Sequence, residues 1–339
     1  MSVGIAAKLT GTLFLLSLVF VNASAQFDAS PVRIMFYNVE NLFDVDDDPV
    51  TEDEEFLPGG LRRWNYSRYK KKIISLYKTI VAAGEWEPPA VVGLCEIENR
   101  SVVEDLVYGT NLSKFKYQII HEDSPDERGI DVCLICREGI VELIDYQYLN
   151  PFASDSGFKT RDVLYTKMQI RSDTIHFIVN HWPSRRGGVL AGEAERRRVA
   201  EMVRTLADSI CSEQADAKII MMGDLNATPD DQTTVILTEM RGGNAGLVNL
   251  SAGLPESSGT YCYRGTWETI DQVMVSEALV RAGTGLCTGT EHLRVFRPDF
   301  LLKKDPQYPG YVPFATYSGY RYQGGFSDHL PVLLDLLLR

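Results

Sequence analysis

The 339-residue sequence is poor in cysteine, with six in the whole chain, at positions 95, 133, 136, 211, 262 and 287. So few cysteines exclude a scaffold held together by disulfides. Cys133 and Cys136 have the Cys-x-x-Cys spacing of redox and metal sites, but they lie in an apolar run that predicts a buried strand. Because residues three apart on a strand face opposite sides, we interpret the pair as core residues.

Positive charge is also scarce. The chain has 34 Lys and Arg against 46 Asp and Glu, which gives a formal net charge of −12. This balance excludes a basic coat for nucleic acid, so a polyanionic partner must be held by a local basic patch or by metal ions. The hydrophobic fraction of 45% is that of a globular protein and excludes wholesale disorder.

Long apolar runs are missing beyond the N-terminus. Lys8, the apolar run from Leu13 to Val21 and the small residues Ala23 to Ala25 have the three parts of a secretory signal peptide, with cleavage after Ala25. A membrane anchor is the alternative, but the run is shorter than the ~20 residues that a span needs. We expect residues 1–25 to be removed, no transmembrane segment in the mature chain, and a secreted or periplasmic protein.

Internal repeats and Ser/Gly-rich linkers are lacking as well. The part of the chain from residue 26 to residue 339 is therefore predicted to form one domain, and we expect a monomer.

What the chain does contain is a series of short β-rich runs, at residues 32–38, 90–96, 116–121, 130–137, 163–170, 174–180, 217–223, 270–275 and 330–338. Helical periodicity appears over Tyr66–Ala83 and Gly192–Cys211. Runs that follow one another without a helix, at 130–148 and 163–180, predict antiparallel hairpins, so the chain is not a simple β-α-β alternation. We expect two packed sheets with helices outside.

Several of these strands end in polar or ionisable residues that a core would exclude. Burying an unpaired carboxylate costs roughly several kcal/mol, so the strand ends make most sense if they converge on one polar site. Oxygen ligands in this number suit Mg²⁺ or Mn²⁺, and the histidines suit proton transfer. The residues are Asn38, Glu40, Asn41, Glu96, Asn180, His181, Asp224, Asn226, Asp271, Asp328 and His329.

Each position taken alone has an ordinary structural explanation, such as a turn, a helix cap or a core histidine. Glu96, for example, could cap the helix predicted near Ser101 or pair with Arg100. Their joint occurrence favours a shared site. Three histidines lie outside the pattern and are interpreted as structural: His121, His176 and His292.

The ordered motifs resemble those of the endonuclease/exonuclease/phosphatase superfamily, which includes DNase I-like nucleases, abasic-site endonucleases, inositol polyphosphate 5-phosphatases and bacterial sphingomyelinases. The resemblance implies an α+β fold, a four-layer α/β/β/α sandwich of two packed mixed sheets with the site at one edge. It extends over residues 32 to 338, in the motifs Phe36-Tyr-Asn38-Val-Glu40-Asn-Leu, Leu94-Cys-Glu96-Ile, Arg128-Gly-Ile-Asp131-Val, Asn180-His181-Trp-Pro-Ser, Gly223-Asp224-Leu-Asn226-Ala, Thr269-Ile-Asp271-Gln and Phe326-Ser327-Asp328-His329-Leu-Pro331.

The resemblance also implies a set of metal ligands. Glu96 with Asn38 is expected to hold Mg²⁺ against a phosphate oxygen. Glu40 stands where the family commonly has Asp, and it is expected near the metal, where its longer arm could act through water. Asp328 is expected near a second metal position.

Four catalytic roles follow from the same resemblance. Asp224 is expected to orient or deprotonate the attacking water, and Asn226 to bind a phosphate oxygen beside it. His329 is expected to contact the phosphate, with Asp271 holding its imidazole in one orientation.

His181 matches the second histidine of DNase I-like members, where it serves as an acid for the leaving group, and Asp131 is its expected carboxylate partner. Arg185 and Arg186 could clasp a second phosphate or a headgroup, although a solvated turn is an equal alternative. Trp267 could stack on a base or line a headgroup pocket, or it could pack in the core. The expected substrate-binding residues are therefore Asn180, Arg185, Arg186 and Trp267.

The sequence thus predicts an exported hydrolase of phosphate esters that depends on Mg²⁺, with Mn²⁺ as a possible substitute. A DNase I-like endonuclease or another phosphodiesterase is the leading hypothesis. The alternative is a phosphomonoesterase or phospholipase C-like enzyme that acts on inositol phosphates or sphingomyelin headgroups. A third hypothesis is a non-catalytic binding module, and the intact set of acidic residues and histidines argues against it.

Overall fold

The computed structural model describes Met1 and residues 30–339, except positions 86, 154–156, 186, 187, 189, 191 and 242–244. The chain divides into two units, Met1–Ser30 and Pro31–Arg339, and the architecture below is that of the second unit. The predicted signal peptide lies outside the described residues. Within the part that is described, no helix is both long enough and apolar enough to cross a membrane.

The first large sheet has seven strands, in the spatial order β13-β19-β1-β2-β4-β3, with β14 also paired to β19. Strands β1 and β2 are parallel, and the other pairs are antiparallel. The strands are β1 (Val32–Leu42), β2 (Val91–Ile97), β3 (Tyr117–Ile120), β4 (Asp131–Arg137), β13 (Leu286–Cys287), β14 (Leu293–Val295) and β19 (Val332–Leu338).

The second large sheet has six strands, in the order β5-β6-β7-β8-β12-β9, and only β7 and β8 are parallel within it. The predicted hairpin at 163–180 is confirmed, but the one at 130–148 is wrong. Both edges of β4 are already paired with β2 and β3, so the following strand crosses to the second sheet. The strands are β5 (Val141–Leu149), β6 (Val163–Ile170), β7 (Asp173–His181), β8 (Lys218–Asp224), β9 (Val248–Asn249) and β12 (Asp271–Val275).

Short ribbons and helices complete the described fold. The ribbons are β10 (Tyr261–Tyr263) with β11 (Thr266–Glu268), β15 (Leu302–Lys304) with β16 (Tyr311–Pro313), and β17 (Tyr317–Ser318) with β18 (Arg321–Tyr322). The helices are α1 (Tyr66–Gly84), α2 (Arg100–Val107), α3 (Glu193–Glu213), α4 (Gln232–Thr238) and α5 (Glu277–Arg281). Single 3-10 turns occur at Glu54–Phe56, Asn111–Phe115, Leu250–Gly253, Glu256–Ser258, Thr290–His292 and Asp299–Leu301.

The two large sheets pack face to face around an apolar layer that contains Phe36, Phe177 and Met222. Helices α1 and α2 cover the outer face of the first sheet, and α3 and α4 cover the outer face of the second. The predicted four-layer α/β/β/α sandwich is therefore confirmed. Cys136 belongs to the inner layer and Cys133 to the outer one, as their spacing predicts, and all six cysteines are described as free thiols.

Strand direction places the polar ends at one edge of the sandwich. In the second sheet His181 at the end of β7 lies beside Asp224 at the end of β8, and Asp271 at the start of the antiparallel β12 lies on the other side of Asp224. The strands approach closely just before this edge: a Cβ on Gly223 would lie 2.4 Å from the carbonyl oxygen of Asn180, so glycine is required there.

Candidate active site

One amide joins the strand ends of the two sheets. Asn38, at the point where β1 becomes irregular, donates from Nδ2 to Oδ2 of Asp224 at 3.0 Å and to Oε1 of Glu96 at 3.4 Å. Oε2 of Glu96 accepts the backbone N–H of Asn41 at 2.8 Å. The structure therefore brings together the three residues that the sequence placed at the ends of β1, β2 and β8.

The backbone is strained at the same place. Left-handed φ angles occur at Glu40 (52°), Asn41 (50°), Glu96 (62°) and Asn226 (47°). For a residue with a Cβ this conformation costs about 1–2 kcal/mol, less for Asn, and such outliers concentrate at functional sites. The turns also aim backbone donors at the carboxylates, since the N–H of Asn226 donates to Oδ1 of Asp224 at 2.9 Å.

His329 is held by a carboxylate. Its Nδ1 lies 2.7 Å from Oδ2 of Asp271, and its Nε2 faces Oδ2 of Asp224 at 3.8 Å. The hydroxyl of Ser327 accepts the backbone N–H of His329 at 3.1 Å and donates to the carbonyl of Asn38 at 2.7 Å, which ties this loop to β1. Burial lowers the pKa of His329, but Asp271 and the other carboxylates outweigh it and raise the pKa well above the usual value. These carboxylates therefore favour the protonated imidazole.

His181 is held by a guanidinium instead. Nη2 of Arg161 lies 3.2 Å from Nε2 of His181 and donates to the carbonyl of Trp182 at 2.9 Å, while Nη1 binds Asp126 at 3.0 Å. Because an arginine N–H only donates, Nε2 of His181 must accept. Burial and then Arg161 and Arg128 lower its pKa well below the usual value. A neutral imidazole that accepts at Nε2 does not fit the expected acid for the leaving group.

The predicted pairing of Asp131 with His181 is wrong. The Asp131 carboxylate lies 3.1 Å from Nε2 of His121 and accepts the N–H of Ser124 at 2.9 Å. These contacts fasten the loop before β4, from which Arg128 donates to the side-chain oxygen of Asn41 at 2.5 Å. Asp131 and His121 thus hold in place the loop that carries Arg128 and Asp126.

Glu40 points away from the group around Asn38. Its Oε2 accepts the backbone N–H of Thr316 at 2.6 Å, and its Oε1 accepts that of Tyr317 at 3.0 Å. Lys72 lies 3.9 Å from Oε2, and half-buried Asp328 is close enough to act on its charge. Burial and then Asp328 raise the pKa of Glu40 to about 7, while Lys72 opposes the rise. The Glu40 side chain therefore binds the backbone of residues 316–317 and not the group around Asn38.

Asn180, expected to bind substrate, is fully buried and serves the core. Its Oδ1 accepts the indole N–H of Trp182 at 3.2 Å, and its Nδ2 donates to the carbonyl of Ile178 at 3.3 Å. The amide is therefore unable to reach a ligand without breaking these contacts.

Arg185 and Trp267, also expected to bind substrate, are partly buried and already have partners. Arg185 forms a bidentate pair with Glu268, with Nη2 and Oε2 2.5 Å apart. Arg186 lies outside the described residues. Half-buried Trp267 is covered by the guanidinium of Arg297, 3.9 Å from the ring centroid. Each described side chain already has a partner that a substrate would have to displace or share.

The donor set fits a hard divalent cation. Asp224 and Asp271 lie in one buried cluster with His329, and Oδ1 of Asp271 has no hydrogen-bond partner among the described residues. The carboxylates are the ligands of this cluster, because a protonated His329 can only donate. Burial and then the charge of Asp271 raise the pKa of Asp224 to about 6. A positive ion would relieve this crowding of buried carboxylates, and the carboxylate oxygens of Glu96 and Asp224 are the ligand type that Mg²⁺ prefers. Asn38 turns its Nδ2 toward these two carboxylates, because its Oδ1 accepts the backbone N–H of Glu40 at 2.9 Å.

Two site residues were missed by the sequence analysis. Arg161 lies two residues before β6, in a loop where no motif or charge pattern distinguishes it from a solvated arginine. Lys72 lies three residues after Tyr69 and four before Leu76, on the apolar face of α1, where the helical period marks it as a buried charge.

Comparison with known proteins extends these observations. A family model described as the Endonuclease/Exonuclease/phosphatase family matches residues 33–337. Comparison with curated protein sequences gives no significant match.

The fold is similar to solved structures at low sequence identity. A Bacteroides thetaiotaomicron endonuclease/exonuclease/phosphatase family protein aligns with a TM-score of 0.59 and 13% identity over 91% of this chain and 98% of that one. A humanized D. rerio TDP2 gives 0.57 and 14% over 90% and 98%, and the B. thetaiotaomicron mannosyl-6-phosphatase gives 0.57 and 12% over 91% and 100%. At these identities the likeness concerns the fold, whereas the family model matches nearly the whole sequence. The chain therefore belongs to the endonuclease/exonuclease/phosphatase family, whose members are phosphoesterases.

Proposed function

We propose that this protein is an exported, Mg²⁺-dependent phosphodiesterase of the DNase I-like type. The observation that carries the proposal is the meeting of Asn38, Glu96 and Asp224 with the Asp271–His329 pair at one edge of the sandwich. A bound Mg²⁺ would act as a Lewis acid on a phosphate oxygen, held by the carboxylate of Glu96, which Asn38 orients through its Nδ2.

Asp224 is placed to orient the attacking water. Each of its oxygens is fixed by a donor, Oδ1 by the N–H of Asn226 and Oδ2 by Nδ2 of Asn38. With its pKa at about 6, the carboxylate is mostly ionised at neutral pH and can accept a proton. The side-chain amide of Asn226 donates one N–H to the carbonyl of Trp182 at 3.1 Å, which leaves its second N–H for a phosphate oxygen.

His329 supplies positive charge for the non-bridging oxygens. Asp271 occupies its Nδ1, so the proton on Nε2 is directed toward the space beside Asp224. A cationic donor fixed before the reaction stabilises the charge that develops on phosphate.

Positive charge near the leaving oxygen comes from arginine in this proposal. Burial and Arg161 keep His181 neutral, so His181 does not donate a proton from Nε2, and the guanidinium remains beside the 3.8 Å gap between His181 and Asp224. A guanidinium there would stabilise negative charge that develops on the leaving oxygen.

Hydrolysis of bis-p-nitrophenyl phosphate tests the proposal. We expect turnover with Mg²⁺ or Mn²⁺, none with EDTA, and a loss of about 10²–10⁴-fold in kcat for Asp224→Asn and for His329→Gln. His292→Gln, at a histidine whose contact among the described residues is with its neighbour Glu291, is the matched control and should keep full activity. Absence of turnover, or variants as active as the parent, would overturn the catalytic proposal.

A substrate panel separates diesters from monoesters. Single- and double-stranded DNA, RNA, inositol polyphosphates and sphingomyelin would be compared with and without EDTA. Cleavage of an internal diester is the expected result. Release of inorganic phosphate from inositol polyphosphates, without cutting of nucleic acid, would assign the protein as a phosphomonoesterase instead.

Export rests on the N-terminal sequence pattern alone. Expression of the whole chain in a bacterial host, followed by fractionation and N-terminal sequencing, tests it. A mature chain that begins at Gln26 outside the cytoplasm is expected, and an uncleaved cytoplasmic chain would contradict it.

A further inference from the structure

Lys72 is a buried cation beside the proposed active site. Its side chain leaves the apolar face of α1 and is 2% exposed. The ammonium donates to Oγ1 of Thr316 at 2.5 Å and to the carbonyl of Phe326 at 2.6 Å, and it lies 3.9 Å from Oε2 of Glu40. A fully buried lysine is rare unless its charge is paired, so the burial of Lys72 indicates that its charge has a specific role.

The ammonium faces carboxylates from three segments of the site. Glu40, Asp328 and Glu96 all act on its charge and favour the protonated form, against the burial that lowers the pKa of Lys72. One positive charge therefore sits among three acidic side chains. Two of them, Glu40 and Asp328, are those that the family resemblance assigns to the neighbourhood of a metal.

Both carboxylate oxygens of Glu40 already have hydrogen-bond donors. Each of its oxygens accepts a backbone N–H, from Thr316 and from Tyr317, and the ammonium lies next to Oε2. A divalent ion bound by Glu40 and Asp328 would have to displace these donors and approach a fixed positive charge. Like charges only about 4 Å apart in buried surroundings repel strongly, so this approach is unfavourable.

We propose that Lys72 takes the place of a second divalent cation, so that the protein binds one divalent ion, on the side of Asn38, Glu96 and Asp224. The ammonium neutralises Glu40 and Asp328 and at the same time fastens the 316–317 segment to the loop that carries His329. This inference rests on the proposed metal-dependent function, and it concerns how many ions bind rather than whether the substrate is cleaved.

Titration with Mn²⁺, followed by the EPR signal of the free ion, counts the bound ions directly. The full chain is expected to bind one Mn²⁺. Lys72→Met keeps the length of the side chain but removes the charge, and it is expected to bind a second, weaker Mn²⁺. Lys71→Met, at the exposed neighbour on the same helix, is the matched control and should bind one.

A double variant keeps the test decisive if Lys72→Met fails to fold. Lys72→Met with Glu40→Gln removes both charges of the pair, and it is expected to return the count to one. Two Mn²⁺ in the parent chain, one in folded Lys72→Met, or two in the double variant would each overturn the inference.

The outcomes also separate this inference from the proposed function. One bound Mn²⁺ together with no hydrolysis of any phosphate ester would remove the proposed function and leave the ion count standing. Two bound Mn²⁺ in an active enzyme would do the reverse.

Discussion

His181 and His329 lie at the same distance from one carboxylate, yet their surroundings differ. Each Nε2 is 3.8 Å from Oδ2 of Asp224. His329 has Asp271 on its other nitrogen, and its pKa is raised well above the usual value; His181 faces Arg161, and burial together with that guanidinium lowers its pKa well below it. The distance to Asp224 therefore does not set the two pKa values: carboxylates raise that of His329, and burial followed by Arg161 lowers that of His181.

The two histidines therefore differ in hydrogen bonding. His329, which contacts Asp271 at the start of β12, donates from Nε2, whereas His181 at the end of β7 accepts at Nε2. The sequence motifs show only a histidine in both places. Exchanging or removing the partners should therefore change the two histidines in opposite ways.

Loss of the carboxylate partner should have the largest effect. Asp271→Asn takes the negative charge from His329, so its pKa should fall toward about 6.5 and kcat should drop by about 10²–10⁴-fold. NMR titration of the imidazole in metal-free protein and turnover of an aryl diester check both. Asp216→Asn, at an exposed position, is the control. An unchanged His329 titration would show that Asp271 does not set its charge.

Loss of the guanidinium partner should be next. Arg161→Met leaves Asp126 buried without its cation, which should lower the free energy of unfolding by about 3–5 kcal/mol. The pKa of His181 should rise while staying below the usual value, because its burial remains, and the same NMR titration measures this. Arg161→Met with Asp126→Asn should recover much of the stability while keeping the shifted His181. If both variants leave the pKa of His181 unchanged, burial alone accounts for its state.

Removal of the wrongly predicted partner should have a smaller effect. Asp131→Asn weakens the contacts to His121 and Ser124 and should cost about 1–3 kcal/mol in urea unfolding. The titration of His181 should stay unchanged, since the structure shows no contact between these two side chains among the described residues. A shifted His181 would restore the pairing that the structure rejects.

A last prediction concerns Glu98, whose carboxyl is buried away from the two histidines, so its effect falls on pH dependence and not on the site. Burial raises the pKa of Glu98 to about 8, although the N–H of Asp44 opposes the rise. Its stabilising contribution is full below the unfolded pKa of about 4.3 and is lost as pH rises through about 8. Glu98→Gln should flatten the pH dependence of the free energy of unfolding between these values. Glu142→Gln, which is exposed, should keep the slope of the parent.

The fold was predictable from the sequence because each central strand is a short apolar run with polar ends. The bounds of β6, Val163–Ile170, agree with the predicted run. The hairpin that failed shows the limit: the run at 141–149 is a strand as periodicity requires, but which sheet it joins depends on whether an edge of β4 is free. That is a property of the assembled sheet rather than of the local sequence.

The same distinction applies to the site. Strand-end residues were predictable as a group, and the structure brings together Asn38, Glu96, His181, Asp224, Asp271 and His329. Their partners were not, because Arg161 and Lys72 arrive from a loop and a helix that are distant in sequence. The direction of Glu40 was not predictable either, since two consecutive left-handed residues turn the chain there.

Two other left-handed residues, Glu96 and Asn226, affect how variants of this protein must be designed. An alanine at either position removes the functional group. At Asn226 it also places a residue that tolerates a left-handed φ less well than asparagine in that conformation. A loss of activity there would mix chemistry with a shifted backbone. Glu96→Gln and Asn226→Asp keep the shape of the side chain, so their kinetics report on charge and hydrogen bonding at these two turns.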